Sequence, residues 1–503
     1  MMQKIVKNIL TSRVYEVAVE TPLEDAPALS IRLKNRIRLK REDKQPVFSF
    51  KLRGAYNKIA HLDPRQRERG VITASAGNHA QGVAYAGRKL SIRTCIVMPV
   101  TTPSIKIDAV RGFGGEVILH GDNYAEAADR ALELVSSSGM VYVHPFDDEL
   151  VIAGQGTVAD EILRQNPGRL DAVFVPIGGG GLIGGMAAYI KALRPDIKVI
   201  GVEPDDSDSM ARSLAAGKRV TLPHVGAFAD GVAVKKVGKL SFDLCRKYVD
   251  EVIVVGTDEL CSGIKTVYQA TRSIVEPAGG LAMAGILKYI RRSRSRGETL
   301  VAVNSGANMN FERLRYVAER TRIGEKQEAL FAVTIPEQPG SLKRFCHDYV
   351  VDRNITEFNY RLSARDQAHI FVGIAIKNED DRHRFHERLL RGGFQCIDLT
   401  DDELAKTHVR YMVGGRSATV KKERLFRFWF PERPGALVDF LDATRGKRNI
   451  SLFHYRAQGG DYGRVLVGLE VPQGDDRELN RRLKELGYRY IEETMNPAYK
   501  LFL

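Results

Sequence analysis

Cysteine is scarce in this chain of 503 residues. The five present, Cys95, Cys245, Cys261, Cys346 and Cys396, are scattered, odd in number and without C-x-x-C spacing. That pattern indicates neither a disulfide framework nor a zinc site, so no metal is expected and a reducing cytoplasm is the expected compartment. A clean membrane span is also missing. Ala172 to Ile190 runs without a charge over a length close to the ~20 residues a bilayer needs, but Pro176 and Gly178 to Gly181 interrupt it. Lys4, Lys7 and Arg13 fall inside what would have to be the apolar core of an export signal between Met1 and Val17, so none is expected.

Acidic residues number 62 against 76 basic ones, a formal charge of +14. The basic residues are dispersed, and the densest runs, Arg32 to Arg41 and Arg291 to Arg296, read as solvated faces or loops. No nucleic-acid partner is expected; an anionic substrate and cofactor account for the excess more simply. With 44% hydrophobic and 27% charged residues, most of the chain should fold, and its length suggests about three domains at ~150 residues each.

Between about residues 50 and 310, short apolar runs alternate with helical patterns. Arg93 to Pro99, Ala172 to Ile177, Lys198 to Val202 and Leu300 to Asn304 are the predicted strands. Alternation of this kind implies an α/β fold with mostly parallel sheets, whose ligands sit at the carboxyl ends of the strands.

Beyond residue 325 an internal repeat replaces that pattern. Leu330 onward (LFAVTIPEQPGSL) superimposes on Leu425 onward (LFRFWFPERPGAL). The same offset aligns Pro339-Gly340 with Pro434-Gly435, Asn354-Ile355 with Asn449-Ile450, and Gly373 with Gly468. Two copies of one small α+β module are implied, each a strand, a Pro-Gly turn, a helix and returning strands. The charge-rich stretch Tyr316 to Lys326 is the expected connector.

Four clusters carry candidate chemistry. In Ser49-Phe50-Lys51-Leu52-Arg53-Gly54-Ala55, a lysine behind an aromatic residue could sit in an apolar pocket and form a Schiff base; alone, a lysine is ordinarily a surface residue. The turn Ser75-Ala76-Gly77-Asn78-His79 follows an apolar pair and opens a helix, offering backbone N–H groups to a carboxylate, or simply a cap at Ser75 or Asn78. Gly178-Gly179-Gly180-Gly181, then Leu182, stand at a strand-to-helix junction suited to a phosphate. The fourth is Asn304-Ser305-Gly306-Ala307-Asn308, whose Ser305 hydroxyl could meet a ring nitrogen.

The glycine loop also satisfies G-x-G-x-x-G through Gly179, Gly181 and Gly184, with Glu203 at the end of the next strand. Read literally, that is a dinucleotide fingerprint of a nicotinamide-dependent dehydrogenase. This reading leaves Lys51 and the Ser-Gly-Asn turn without a task.

Taken together and in this order, with Arg41-Glu42-Asp43, Glu276-Pro277-Ala278-Gly279 and the duplicated C-terminal module, these motifs resemble the biosynthetic threonine dehydratases (threonine ammonia-lyases) among the fold-type II pyridoxal-phosphate enzymes, over essentially the whole chain. The resemblance implies a two-lobed catalytic domain over 1–320, with a smaller lobe inserted at about 48–145, and two ACT-like regulatory subdomains over 328–400 and 423–495. It implies that Lys51 holds pyridoxal 5'-phosphate through a Schiff base, that Phe50 packs on the ring and that Asn78 bonds the 3-hydroxyl. Gly178, Gly179, Gly180, Gly181 and Leu182 would bind the phosphate, and Ser305 would face the pyridine nitrogen. Ser75, Ala76, Gly77, Asn78 and His79 would hold the substrate carboxylate.

The implied reaction is deamination of L-threonine, and of L-serine, to 2-oxobutanoate or pyruvate and ammonia, the first committed step of isoleucine biosynthesis. Lys51 would remove the Cα proton, and either Lys51 or the cofactor phosphate would protonate the leaving hydroxyl. Isoleucine and valine are the implied effectors, near Pro339, Gly340, Asn354, Pro434, Gly435 and Asn449, and a homotetramer is the implied assembly. Ala76 lacks the hydroxyl that similar serine racemases use there as a second base, so racemisation is not expected as the main activity.

Overall fold

The computed structural model describes residues 2–502 except 337–344, 351–352, 354, 363–366, 412–421, 432–438, 441–442, 444–448, 457–461 and 473. The chain divides into two compact units, Met1–Ala318 and Glu319–Leu503.

The first unit is built on two sheets. Six strands form the larger, in the order Leu23–Asp25, Arg36–Arg41, Thr299–Asn304, Ala172–Pro176, Lys198–Pro204 and Glu251–Val255. Only the first pair is antiparallel. Buried apolar residues on both faces of the central strands pack against two separate cores, one containing Val173, Val175, Ile183 and Met186, the other Phe174, Ala282, Met283 and Ala302. A strand buried on both faces reads as a continuous apolar run, and this is why Ala172–Pro176 and Thr299–Asn304 were legible.

The smaller sheet is wholly parallel, in the order Glu116–Leu119, Thr94–Met98, Val71–Ala74 and Val141–Tyr142. The helices Lys51–Ala60 and Asn78–Leu90 share one core with its strands through Leu52, Ala55, Ile59, Val83, Ala84 and Ile96. The two helices approach so closely that a Cβ on Gly82 would lie 3.2 Å from the backbone of Lys51 and Leu52.

One expectation from the sequence is overturned here. Arg32, Lys34 and Arg36 of the basic run are exposed, but its second half is neither a loop nor a solvated face, because Arg36–Arg41 is a strand of the large sheet with Arg38, Lys40 and Arg41 buried. Ile37 and Leu39 enter an apolar core, while the cations meet carboxylates and amides brought by other elements. Lys40 Nζ donates to Glu161 at 2.5 Å and to the Thr21 carbonyl at 2.6 Å. Arg53, wholly buried, spans Glu42 at 2.7 Å and Glu161 at 2.6 Å. Buried charges persist only when paired and hydrogen-bonded, and the helix Glu149–Gln165 supplies the partner.

The charge-rich connector is helical within Arg313–Gly324. In the second unit, two antiparallel sheets have the same strand order. The first runs Ile355–Leu362, Gln367–Ala375, Glu328–Pro336, Gln395–Asp398; the second runs Asn449–Arg456, Tyr462–Glu470, Glu423–Pro431, Tyr490–Glu492. Even the β-bulge recurs at equivalent places, between Ile355 and Glu357 and between Ile450 and Leu452. Alternate residues explain the layering. Phe331 and Val333 face one module's own core, Phe426 and Phe428 the other's, and Leu330, Ala332, Leu425 and Leu466 meet in a core common to both. Glu403 adds an ionic joint within this unit, accepting from Arg320 at 2.7 and 2.8 Å and pairing with Arg464.

Candidate active site

Lys51 opens its helix directly after Phe50. Its amine donates to the Pro145 carbonyl at 3.0 Å and lies 5.3 Å from the centre of the Phe50 ring. Burial pushes the amine down to about 8, a fall that the charge of Glu276 partly offsets. A lysine so placed reaches its nucleophilic, neutral form far closer to neutral pH than an ordinary lysine does.

Short links draw the other clusters toward this amine. The Phe50 N–H donates to the Ser305 carbonyl at 3.1 Å, and Ser49 and Gly306 form a bridge, so the fourth cluster lies beside the first. Ser305 is buried just beyond the carboxyl end of Thr299–Asn304, where an α/β sheet presents its ligands.

The glycine loop is reached through Phe146, the neighbour of Pro145. A Cβ on Gly179 would fall 2.1 Å from the Phe146 ring, and one on Gly181 would fall 2.6 Å from the Phe146 carbonyl. Gly178 would strike Val232 at 2.9 Å and Gly180 the Met210 methyl at 2.6 Å. Gly180 also has φ +90°, a left-handed conformation that disfavours side chains. Close approach therefore requires Gly178, Gly179 and Gly181, and the left-handed backbone requires Gly180. The helix Gly181–Leu193 starts here, and the first N–H groups of a helix have no intrahelical acceptor, so they are available to an anion.

The turn at 75–79 is not capped as the simpler reading expected. Gly77 occupies the capping position without a side-chain bond, and the Ser75 hydroxyl accepts from the Gly77 N–H at 3.3 Å. A Cβ on Gly77 would meet nothing within 4 Å, so the turn borders open space. Ala76 is half-buried there. His79 points the other way. Its Nε2 bonds the Val143 carbonyl at 2.9 Å, and burial together with the charge of Lys51 pushes it down to about 3. The ring is thus neutral, and only the backbone of His79 can serve an anion at the turn.

Asn78 is gripped at both ends of its amide, its Nδ2 donating to Glu276 at 2.5 Å and its Oδ1 accepting from Asn308 at 2.6 Å. Sequence reasoning quoted Glu276 and Asn308 within motifs but assigned them no task, and it passed over Pro145, Phe146 and Asp230. A Glu-Pro pair is a local signal for a helix start and does not by itself mark a site.

Glu203, the acid that would complete a dinucleotide fingerprint, is buried and accepts from the N–H groups of Met210 at 2.9 Å and Ala211 at 2.8 Å. It caps a helix, so the dehydrogenase reading loses its ribose ligand. Of the effector positions, Pro339, Gly340, Asn354, Pro434 and Gly435 lie outside the described residues; Asn449 opens the strand Asn449–Arg456.

A buried amine, a glycine cradle at a helix start, a serine at a strand end and an oriented amide fit an aldehyde cofactor that carries a phosphate. Alanine at Gly179 is expected to drive Phe146, and with it Pro145, off position. The purified variant should lose bound cofactor and about 1–3 kcal/mol of stability, read by visible absorbance and melting temperature. Alanine at Gly112, where a Cβ meets nothing within 4 Å, should change neither.

These features define a pyridoxal-phosphate enzyme, and residues 15–306 match the family described as pyridoxal-phosphate dependent enzyme. Residues 319–409 and 414–503 each match the C-terminal regulatory domain of threonine dehydratase. The chain belongs to the biosynthetic threonine dehydratase family. It is 59% identical to the biosynthetic L-threonine dehydratase IlvA of Burkholderia multivorans over 500 residues, covering 99% of this chain and 98% of that protein. The corresponding Escherichia coli enzyme is 52% identical, with 98% and 96% covered. Among solved structures, processed threonine deaminase isoform 2 from Solanum lycopersicum is 50% identical with a TM-score of 0.62, over 63% of this chain and 88% of that one. Maize serine racemase is 32% identical with a TM-score of 0.59, over 63% and 96%.

Proposed function

We propose that this protein deaminates L-threonine to 2-oxobutanoate and ammonia, and L-serine to pyruvate and ammonia, in the cytoplasm. The catalytic domain is assigned to 1–320, with its smaller lobe at about 48–145, and ACT-like subdomains at 328–400 and 423–495 bind isoleucine and valine. The observation that carries the reading is the Lys51 amine, desolvated between Phe50 and Pro145 and tied by that segment to the glycine loop.

When bound, pyridoxal phosphate supplies an electron sink for charge that develops at the substrate's Cα. Phosphate would rest on Gly178, Gly179, Gly180, Gly181 and Leu182, with Ser305 toward the ring nitrogen, Phe50 against the ring and Asn78 toward the 3-hydroxyl. The backbone of Ser75 to His79 orients the substrate carboxylate in the open space beside Gly77. The Lys51 amine would take the proton from Cα, and either that amine or the cofactor phosphate would protonate the departing β-hydroxyl. Loss of water followed by hydrolysis gives the keto acid and ammonia. A neutral serine at the ring nitrogen makes a weaker electron sink than a carboxylate, which favours elimination over a long-lived carbanion.

The purified full chain should form 2-oxobutanoate from L-threonine, measured by reduction of the keto acid in a coupled assay. Isoleucine should lower the rate and valine should restore it. Absence of keto acid, or D-threonine as the dominant product, overturns the catalytic reading; a flat isoleucine response assigns the repeat to assembly, for which a homotetramer is proposed.

A further inference from the structure

We propose that Glu276 is a positioning residue for this reaction, holding the Asn78 amide in one orientation and placing a negative charge beside Lys51. The proposal rests on the reading that Asn78 meets the cofactor's 3-hydroxyl.

Glu276 occupies the position before the helix Pro277–Ser293, yet its carboxylate makes no capping bond to that helix. It turns instead to Asn78, 198 residues away in sequence, at 2.5 Å from Nδ2. An acid whose only task was to start a helix would face the helix N–H groups. Backbone contacts fix the departure. The Glu276 N–H donates to the Gly306 carbonyl at 3.2 Å, and a Cβ on Gly306 would lie 2.4 Å from Glu276 Oε1, so the turn after Ser305 is shaped around the carboxylate.

An ionised carboxylate can only accept, and this decides which way the Asn78 amide points. Nδ2 faces Glu276, Oδ1 takes the Asn308 amide, and Asn308 is itself anchored by donating to the Val47 carbonyl at 2.9 Å. The second hydrogen on Asn78 Nδ2 is left for an oxygen acceptor, the chemistry a phenolate-like 3-hydroxyl offers. Glutamine in place of Glu276 can donate as well as accept, so the amide would no longer be held one way.

The charged groups around Glu276 come from separate elements. Asp230 lies nearby and opposes its ionisation; Lys106, which pairs with Asp230 at 2.6 Å, and Arg313, which pairs with it at 3.3 Å, favour it. Lys51 is the cation that feels Glu276 in turn. Burial and Asp230 push Glu276 up to about 7, against the pull of Asn78, Lys106 and Arg313, so its charge changes within the working range. Below that pH the acid is neutral, and its field at Lys51 is lost.

The test is the visible absorption of the cofactor in the full chain, followed against pH without substrate. Wild type should show an inflection near pH 7 from Glu276 in addition to the transition of the Schiff-base nitrogen. E276Q should lose that inflection, lower the remaining midpoint by about one pH unit, equivalent to tenfold in proton affinity, and release cofactor faster on dialysis. D230N, which leaves the Asn78 contact intact, should move the inflection to lower pH, and it carries the test should E276Q fail to fold. An inflection that persists unchanged in E276Q, or fails to move in D230N, overturns the proposal while leaving the enzyme assignment intact. A wild type without a cofactor band overturns both.

Discussion

Alanine at Lys51 is expected to lower kcat for threonine by at least ~10³-fold, because in the proposed function one amine serves both as covalent anchor and as proton carrier, and a positioned base alone contributes about 10²–10⁴-fold. The variant should still fold. Among the described residues the Lys51 side chain makes a hydrogen bond only to the Pro145 carbonyl, and the helix that it opens is held by Leu52, Ala55, Tyr56 and Ile59 in the core beside the smaller sheet. Absorbance of the lysine-bound cofactor should disappear while the circular dichroism stays that of the wild type. Turnover above a tenth of the wild-type rate would show that some other group carries the chemistry.

The pH dependence of loading has a defined sign. An amine at about 8 is neutral in roughly one molecule in ten at pH 7, against about one in three thousand for an ordinary lysine. Reloading of cofactor-free protein should therefore slow about tenfold per unit as pH falls below 8, and level off above it.

Arg53→Ala is the stability counterpart. It would leave Glu42 and Glu161 buried, with Lys40 as the only remaining cation on Glu161 among the described residues. Removing one partner of a buried pair costs about 3–5 kcal/mol, and calorimetry of the full chain should place that loss in the transition of the catalytic unit. Burial raises Glu42, but Arg53 and Lys40 outweigh it and hold the acid below its ordinary 4.5. In wild type this contributes stability that is present above pH 4.5 and lost as pH falls through the lower, folded value. Without Arg53 burial dominates, so the sign reverses and stability falls as pH rises past 4.5. The double change Arg53→Met with Glu42→Gln should recover much of the loss, since both buried charges are then gone.

Much of this was legible before any coordinates. Ala172–Pro176 and Thr299–Asn304 are apolar on both faces, and that pattern alone implies a covered parallel sheet. The repeat was legible because its two copies keep one offset, and the shared strand order and bulge show what the offset preserves. The stretch Arg36–Arg41 misled because a charged run is ordinarily solvated, and nothing local announces that Glu161, far along the chain, will meet it.

The residue order by itself determined where strands and helices alternate, where glycine permits close approach, and that Lys51, the Ser-Gly-Asn turn and Ser305 are the candidate groups for the proposed chemistry. These are local properties, set by side-chain size, backbone freedom and spacing. Only the tertiary structure decided that the Asn78 amide turns its nitrogen to Glu276 and its oxygen to Asn308, that His79 is neutral and turned away, that Glu203 caps a helix, and that Glu276 faces Asn78 instead of its own helix. Each of those depends on groups far apart in sequence meeting where water is excluded, and desolvation and charge pairing exist only once the chain has packed.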